Sequence, residues 1–265
     1  MPELDLSAAA VAVLAARVEE QQRAFGAIRY GSVFRVGAAR VVLNPDAPFA
    51  AANFAGTVSG SPMAAEATLA TLPEVWAEAE RSPVILLDSP SCLPELGAIA
   101  EEAGYEAVEE SAVMVLAGPR ALAEHEPGSL TRPARDGEDA AIAGVLADAY
   151  GHSAAVERRL AEVVGQRLDD PRVEAVVAEA DGEAAGVAFA FVQGDLALVT
   201  DVGVRPERRN HALGRALGSA AAAVARARGA RVVWLAAEAG GHVEAFWSRL
   251  GFATAYTSVT YQWRE

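Results

Sequence analysis

The strongest constraint on the fold is an internal repeat. Leu96-Gly97-Ala98-Ile99-Ala100-Glu101-Glu102-Ala103-Gly104-Tyr105 is followed by Glu106 to Leu116, and Val243-Glu244-Ala245-Phe246-Trp247-Ser248-Arg249-Leu250-Gly251-Phe252 by Ala253 to Trp263. With Gly104 placed on Gly251, a helix, a glycine-aromatic stop and a strand coincide without a gap. Each copy also follows an apolar strand pattern, Val84 to Leu87 and Val232 to Leu235. Any helix can stop at glycine and lead into a strand, but the whole succession recurring in order points to two copies of one architecture.

The segment His125 to Asp136 carries two prolines and a glycine between patterned regions, which suits a join. A boundary near residue 127 follows, dividing 1–127 from 128–265. Beyond it the pattern predicts a strand at Ser129 to Arg132, helices at Glu138 to Tyr150 and Ala154 to Leu168, and strands at Val173 to Ala180, Ala184 to Gln193 and Leu196 to Val204. A helix at Leu213 to Arg228, a strand at Arg231 to Ala237, a helix at His242 to Leu250 and a strand pair over Ala253 to Trp263 complete it. This alternation indicates an α/β fold. In the first half, a strand over Phe49 to Val58 leads through Ser59-Gly60-Ser61-Pro62 into a helix from Met63 to Thr71, and Pro73 opens another. Asn44-Pro45-Asp46-Ala47-Pro48 reads as a loop between strands.

Composition excludes several classes. At 52% hydrophobic the 265-residue chain can bury a core, and 22 basic against 36 acidic residues give a formal charge of -14. That charge repels nucleic acid and favours a cationic or neutral substrate. The single cysteine, Cys92, excludes an internal disulfide and, without a Cys/His cluster, argues against a structural zinc site. A reducing, cytoplasmic setting follows. Glu3 and Asp5 ahead of the apolar run Ala8 to Ala16 suit a capped helix better than a signal peptide. No stretch reaches the roughly 18 to 20 apolar residues of a spanning helix, so no membrane role is expected.

Chemistry concentrates after the strand Leu196 to Val204. Arg205-Pro206-Glu207-Arg208 leads into Arg209-Asn210-His211-Ala212-Leu213-Gly214-Arg215 and an alanine-rich helix. A pyrophosphate needs converging backbone N–H groups, small residues that permit close approach and the positive end of a helix dipole. This segment offers all three, and Arg209 and Arg215 add charge.

Here the sequence resembles the GNAT superfamily of N-acyltransferases, whose hallmark is Arg/Gln-x-x-Gly-x-Gly/Ala between strand and helix. Arg209 takes the first position, Ala212 that of the first glycine and Gly214 that of the second. Asp201-Val202-Gly203-Val204-Arg205-Pro206-Glu207 and Leu250-Gly251-Phe252 also agree with the family's pattern. The resemblance implies two tandem GNAT-like domains, each a mixed, mainly antiparallel sheet flanked by helices, the first degenerate and lacking a cofactor loop. It implies acetyl-CoA or another acyl-CoA held by Val202, Gly203, Val204, Arg209, Asn210, His211, Ala212, Leu213, Gly214, Arg215 and Trp247. Three departures stand out. Ala212 resists positive φ, Gly240 lies where the family often has a cofactor-contacting Asn, and Trp247 lies where it often has a Tyr that protonates the thiolate. An indole is not a practical acid.

For the base that frees an amine for attack, the candidates are Asp201 and Glu238, each with the plainer alternative of a strand-end or solvated carboxylate. Tyr150 and His152, between two helices, are candidates for substrate contact. His242 reads as a residue at a helix start and His125 as linker. Cys92 has no activating base partner and reads as an ordinary residue. The expected activity is transfer of an acyl group, most simply acetyl, to a primary amine of a small molecule or peptide, by a monomer or homodimer. The alternatives are a noncatalytic acyl-CoA sensor or scaffold, and an acyltransferase using a longer donor or an acyl carrier protein.

Overall fold

The computed structural model describes residues 7–47, 49–117, 130–209 and 212–264. The boundary expected near residue 127 and the linker histidine His125 lie outside them. The chain forms two compact units. One comprises Val115–Leu235 with Phe246–Ala253; the other comprises residues up to Met114 with Ala236–Ala245 and Thr254–Glu265. Residues from the end of the sequence thus complete the unit built mainly from its beginning. No helix among the described residues is long and apolar enough to cross a membrane.

The unit built mainly from the N-terminal residues contains α1 (Ala8–Gly26), β1 (Ser32–Val36), β2 (Ala39–Leu43), β3 (Phe54–Gly56), α2 (Pro62–Glu78), β4 (Ile85–Asp88), α3 (Leu96–Glu102) and most of β5 (Tyr105–Leu116). Its sheet runs β1-β2-β3-β4, then β11 (Phe252–Trp263), then β5. The β3–β4 pair is parallel, with Ala55 opposite Leu86. β11 is antiparallel to β4, with Val259 opposite Asp88 and Gln262 opposite Ile85.

Three expectations are corrected here. The strand pair over Ala253 to Trp263 is one continuous strand, because the segment has no Gly, Pro, Asn or Asp to turn it. The strand expected over Phe49 to Val58 is a 3-10 turn, Ala50–Ala52, followed by the short β3. Buried Asn53 imposes this. Its amide donates to the Ala47 and Phe49 carbonyls, and its oxygen accepts from the Asn44 N–H at 2.9 Å. Finally, Pro73 does not open a new helix, since α2 runs through it. Proline leaves the carbonyl of Leu69 without its helical donor, and the buried Tyr105 hydroxyl supplies one at 3.0 Å.

A polar knot closes this unit around Glu19, which is 1% exposed. Its carboxylate pairs with Arg23 at 3.2 Å and accepts from Thr57 at 2.5 Å, from Ser91 at 2.6 Å and from Ser89. A methyl group at Gly56 would lie 2.8 Å from its Oε2, so glycine is required there. Nearby, burial first and the charge of Glu19 second push the Cys92 thiol up to about 11. This agrees with an unreactive cysteine.

The other unit contains β6 (Thr131–Pro133), α4 (Asp139–Tyr150), α5 (Ala154–Leu168), β7 (Val173–Ala180), β8 (Glu183–Gln193), β9 (Leu196–Val204) and α6 (Leu213–Ala227), with most of β10 (Val232–Glu238). The order is β6-β7-β8-β9-β10. Pairings are antiparallel up to β9 and parallel between β9 and β10. β8 reads EAAGVAFAFVQ and is buried over most of its length, as a central strand must be. Arg132 ties β6 to α4 by a bidentate pair with Glu138 and a 2.7 Å bond to Glu179. α7 (His242–Arg249) contributes its second half, from Phe246 onward, to this unit.

The repeat is present as read. β5 and β11 each span twelve residues, and Gly104 and Gly251 precede them at φ +86 and +88. Each repeat also contains a parallel pair, β3–β4 in one and β9–β10 in the other.

Candidate active site

The site starts from an irregularity in β9. Val187 pairs with Gly203 and Phe189 with Thr200, so Asp201 and Val202 together face the single residue Ala188. This is a β-bulge, and Asp201 takes a left-handed conformation at φ 50. Among the described residues, the parallel ladder to β10 reaches only from Leu196 to Leu198. The backbone of Val202, Gly203 and Val204 lies beyond that ladder, with Gly203 and Val204 still paired to β8. A Cβ at Gly203 would lie 3.0 Å from Ala149 Cβ and 3.3 Å from Leu146 Cδ2, so glycine lets α4 press against the bulge.

Asp201 does not stand alone. Arg167, 7% exposed on α5, donates to its Oδ2 at 2.6 Å. Among the described residues its other oxygen has no hydrogen-bond partner, and the side chain is 28% exposed. Tyr150 ends α4, with its ring against Gly203 at 3.9 Å from the position a Cβ would take. The residue is 53% exposed; desolvation of its phenol, and then the charge of Asp201, raise it above its usual range. His152 is exposed, its ring 6.1 Å from that of Tyr150. Gly151, left-handed at φ 69, caps α4 and turns the chain so that both rings meet. Of the residues expected from sequence, Asp201 lies in the bulge, Tyr150 packs against it at Gly203, and exposed His152 stands beside Tyr150.

The segment after β9 is tied to α4. Arg205 pairs with Asp148 and donates to the Ala184 carbonyl at 3.0 Å, and Arg209 donates to the Ala149 carbonyl at 2.8 Å. Asn210 and His211 lie outside the described residues. Ala212 enters α6 at φ 60, ψ 0, the left-handed conformation that its glycine-like position demands. Its side chain cannot cap, and α6 has no acidic residue in its first turn. The contrast with the other long helices is plain. Ser7 and Ser61 cap α1 and α2, while Asp139 and Glu157 stand in the first turns of α4 and α5. The opening N–H groups of α6 at Leu213, Gly214 and Arg215 keep their positive potential, with exposed Arg215 beside them. Gly214 is not demanded by internal packing. A Cβ there would make ordinary contacts, 3.7 Å to Phe246 and 3.9 Å to Val204.

Trp247 is 5% exposed. A Cβ on Gly218 would lie 2.6 Å from its ring, so the indole packs directly on α6, edge-on to Phe246 and Phe252 at 5.0 and 5.5 Å. Gly240 has φ +70 and donates its N–H to Glu244 at 2.7 Å, which accounts locally for glycine at this position. Glu238 belongs to the other compact unit. It is exposed, with its carboxylate 3.4 Å from where a Cβ on Gly241 would stand. No group of three or more His, Cys, Asp or Glu that could hold a metal occurs among the described residues.

Sequence reading missed Arg167 and the anchoring role of Arg205. A signal for Arg167 existed: it continues the buried stripe Leu160, Val163, Val164 at helical spacing, and a guanidinium on an apolar face needs an internal partner.

Residues 141–252 match the model of the acetyltransferase (GNAT) family. No curated protein matches the sequence. Among solved structures, a GCN5-related N-acetyltransferase from Kribbella flavida superposes with a TM-score of 0.71 at 20% identity, covering 96% of each chain. A conserved protein of unknown function from Staphylococcus epidermidis gives 0.68 at 14%, over 89% of this chain and 94% of that one. A tandem GNAT protein from the clavulanic acid biosynthesis pathway gives 0.61 at 19%, over 91% of this chain and 86% of that one. These identities speak for the fold, a repeated GNAT architecture, while the family match falls on the segment that carries the bulge, the loop and α6. Residues 141–252 are thus similar to the GNAT family of acetyltransferases.

Proposed function

We propose that the protein transfers an acyl group, most simply acetyl, from acyl-CoA to a primary amine of a small molecule or peptide. The observation that carries this reading is the start of α6: an uncapped, acid-free helix N-terminus entered from a left-handed residue at the end of a bulged strand. The first turn of α6 carries no acidic residue, so its N–H groups, with Arg209 and Arg215 nearby, suit a pyrophosphate. The matching helix in the repeat, α2, is capped by Ser61 accepting from the Ala64 N–H. This supports a single cofactor loop, in the family-matched segment.

Bound there, acyl-CoA would supply the thioester carbonyl that the amine attacks. Val202 to Val204 would offer backbone groups to the acyl and pantetheine portions, since they lie beyond the parallel ladder to β10. The open oxygen of Asp201 would bind the acceptor ammonium and draw a proton from it, while Arg167 holds the carboxylate in place. Leu146 and Ala149 crowd Gly203, which favours a short acyl group.

The test is free-thiol release from acetyl-CoA over a panel of primary amines, with longer acyl donors in parallel. Amine-dependent release, greatest with acetyl, is the expected result. Coenzyme A binding with no release from any donor would replace this reading with noncatalytic acyl-CoA binding.

A further inference from the structure

We infer that the free edge of β1 docks a partner protein by strand addition, taking an extended segment whose carboxylate meets Arg35 and Arg40 and whose apolar residue covers Phe34. The inference is independent of the acyl-transfer reading above.

β1 closes one side of its sheet, with only β2 beside it in the strand order. The two residues Gly37 and Ala38 join them, so Val36 faces Ala39, and Arg35 then faces Arg40, Phe34 faces Val41 and Val33 faces Val42. In such a hairpin the pair beside the turn is hydrogen-bonded, and bonded pairs alternate along the ladder. Val33 and Arg35 therefore direct their N–H and C=O groups away from β2, towards the open edge. Four of the five residues of β1 are exposed, Val33 and Phe34 among them. Natural edges are commonly blunted by shortness, proline or a bulge. β6, the edge strand of the other unit, is three residues long and ends in Pro133. β1 has no proline, and its ladder to β2 runs without a shift in register.

Charge selects the partner. From Gln21 to Pro45 the chain has four arginines and no Asp or Glu, although the whole carries a formal charge of -14. Arg23 is taken up by Glu19, whereas Arg29, Arg35 and Arg40 are exposed. Arg35 and Arg40 form a pair of the non-bonded type, so their side chains share one face at the closest cross-strand spacing. Like charges placed this way oppose folding. Among the described residues, neither arginine has an ion pair or side-chain hydrogen bond to relieve it. On the same face Glu19 stands over Gly56, the β3 partner of Arg40, but Arg23, Thr57, Ser89 and Ser91 already engage its carboxylate. Arg35 alone would serve to keep stray strands off the edge. Arg40 lies one strand inside, where it guards nothing, and it is the one exposed residue of β2. A carboxylate delivered by an added strand accounts for both. A second copy of this chain does not fit, because pairing two β1 edges would gather four such arginines. Nucleic acid is opposed by the overall charge and has no main chain to bond the edge.

The test uses a short fluorescent peptide alternating glutamate and valine, with a lysine-for-glutamate peptide as control, followed by anisotropy against the full chain. Wild type should bind the glutamate peptide and not the lysine one. R35Q and R40Q should each weaken binding about three- to fivefold. V33P, which removes an edge N–H and leaves the ladder to β2 intact, should abolish it. Without peptide, R40Q should melt at or above the wild-type temperature, because the like-charge pair is relieved. Amide exchange in wild type should slow at Val33 and Arg35 when the peptide is added, which decides the matter even if V33P does not fold. No binding at millimolar peptide, equal binding of the two peptides, or unchanged affinity in R40Q would overturn the inference. So would self-association that V33P removes, or displacement of the peptide by a single-stranded oligonucleotide, since either gives the edge a different occupant.

Discussion

Replacing Ala212 by glycine should stabilise the protein and tighten coenzyme A binding together. Ala212 holds φ 60, ψ 0 at the entry to α6 without capping it. An L-residue in this conformation costs roughly 1–2 kcal/mol, which glycine avoids. Glycine's greater freedom in the unfolded chain returns part of this, leaving a net gain of about 0.5–1 kcal/mol. For a chain of this size that corresponds to a rise of about 1–4 °C in Tm. Removing the methyl group also opens the approach to the first N–H groups of α6, so a Kd for coenzyme A lower by about two- to fivefold is expected, which amounts to under 1 kcal/mol. Ala212→Val supplies the opposite arm, because a β-branched side chain is a true outlier at positive φ and should lose stability and affinity alike. Thermal melts without ligand and calorimetry with coenzyme A measure both. If A212G lowers Tm, or if A212V matches wild type, the left-handed entry is wrong and the argument for the loop goes with it.

Three further outcomes follow from the unit built mainly on the N-terminal residues. Burial first, and the charge of Glu19 after it, push Asp88 up to about 6. Its folded-state pKa therefore exceeds the unfolded value, and its contribution favours folding below about pH 4 and is lost as pH rises through 6. Discounted for partial exposure, the swing is about 1–2 kcal/mol; denaturant melts of D88N should lack it and show greater stability at pH 7 to 8. Tyr105→Phe strands the Leu69 carbonyl that Pro73 leaves without a helical donor, and chemical denaturation should record a loss of about 1–2 kcal/mol. Deleting residues 254–265 removes the strand paired with β4, so amide exchange at Ile85 to Asp88 should accelerate sharply; unchanged protection would contradict the pairing.

Much of this was legible in the sequence because its cues are local. Val173 to Ala180 and Leu196 to Val204 alternate or run apolar between Gly and Asp turns, and their bounds agree with the structure. The repeat around Gly104 and Gly251 was visible because each glycine must take positive φ. Failures came where a distant side chain decides. Asn53 bends a segment whose own residues favour a strand, and Tyr105 lets α2 continue past a proline that would ordinarily break it. The destination of β11, beside β4, is a choice of partner that no pattern within residues 252 to 263 encodes. At the site, the spacing of Arg209, Ala212 and Gly214 was readable as a motif. The pairing of Arg167 with Asp201 joins a helix to a bulge across the chain, and a bulge leaves no mark in a run such as LALVTDVGV.

The central claim is that the start of α6 holds the pyrophosphate of an acyl-CoA. Gly214→Ala tests it most directly, because the folded chain has room for the added methyl group, whereas a phosphate drawn onto the first turn does not. Calorimetry should find one coenzyme A per wild-type chain, and binding weaker by about tenfold or more in G214A, equivalent to about 1.4 kcal/mol, with the unliganded Tm unchanged or higher. Equal affinity in the two proteins would contradict it.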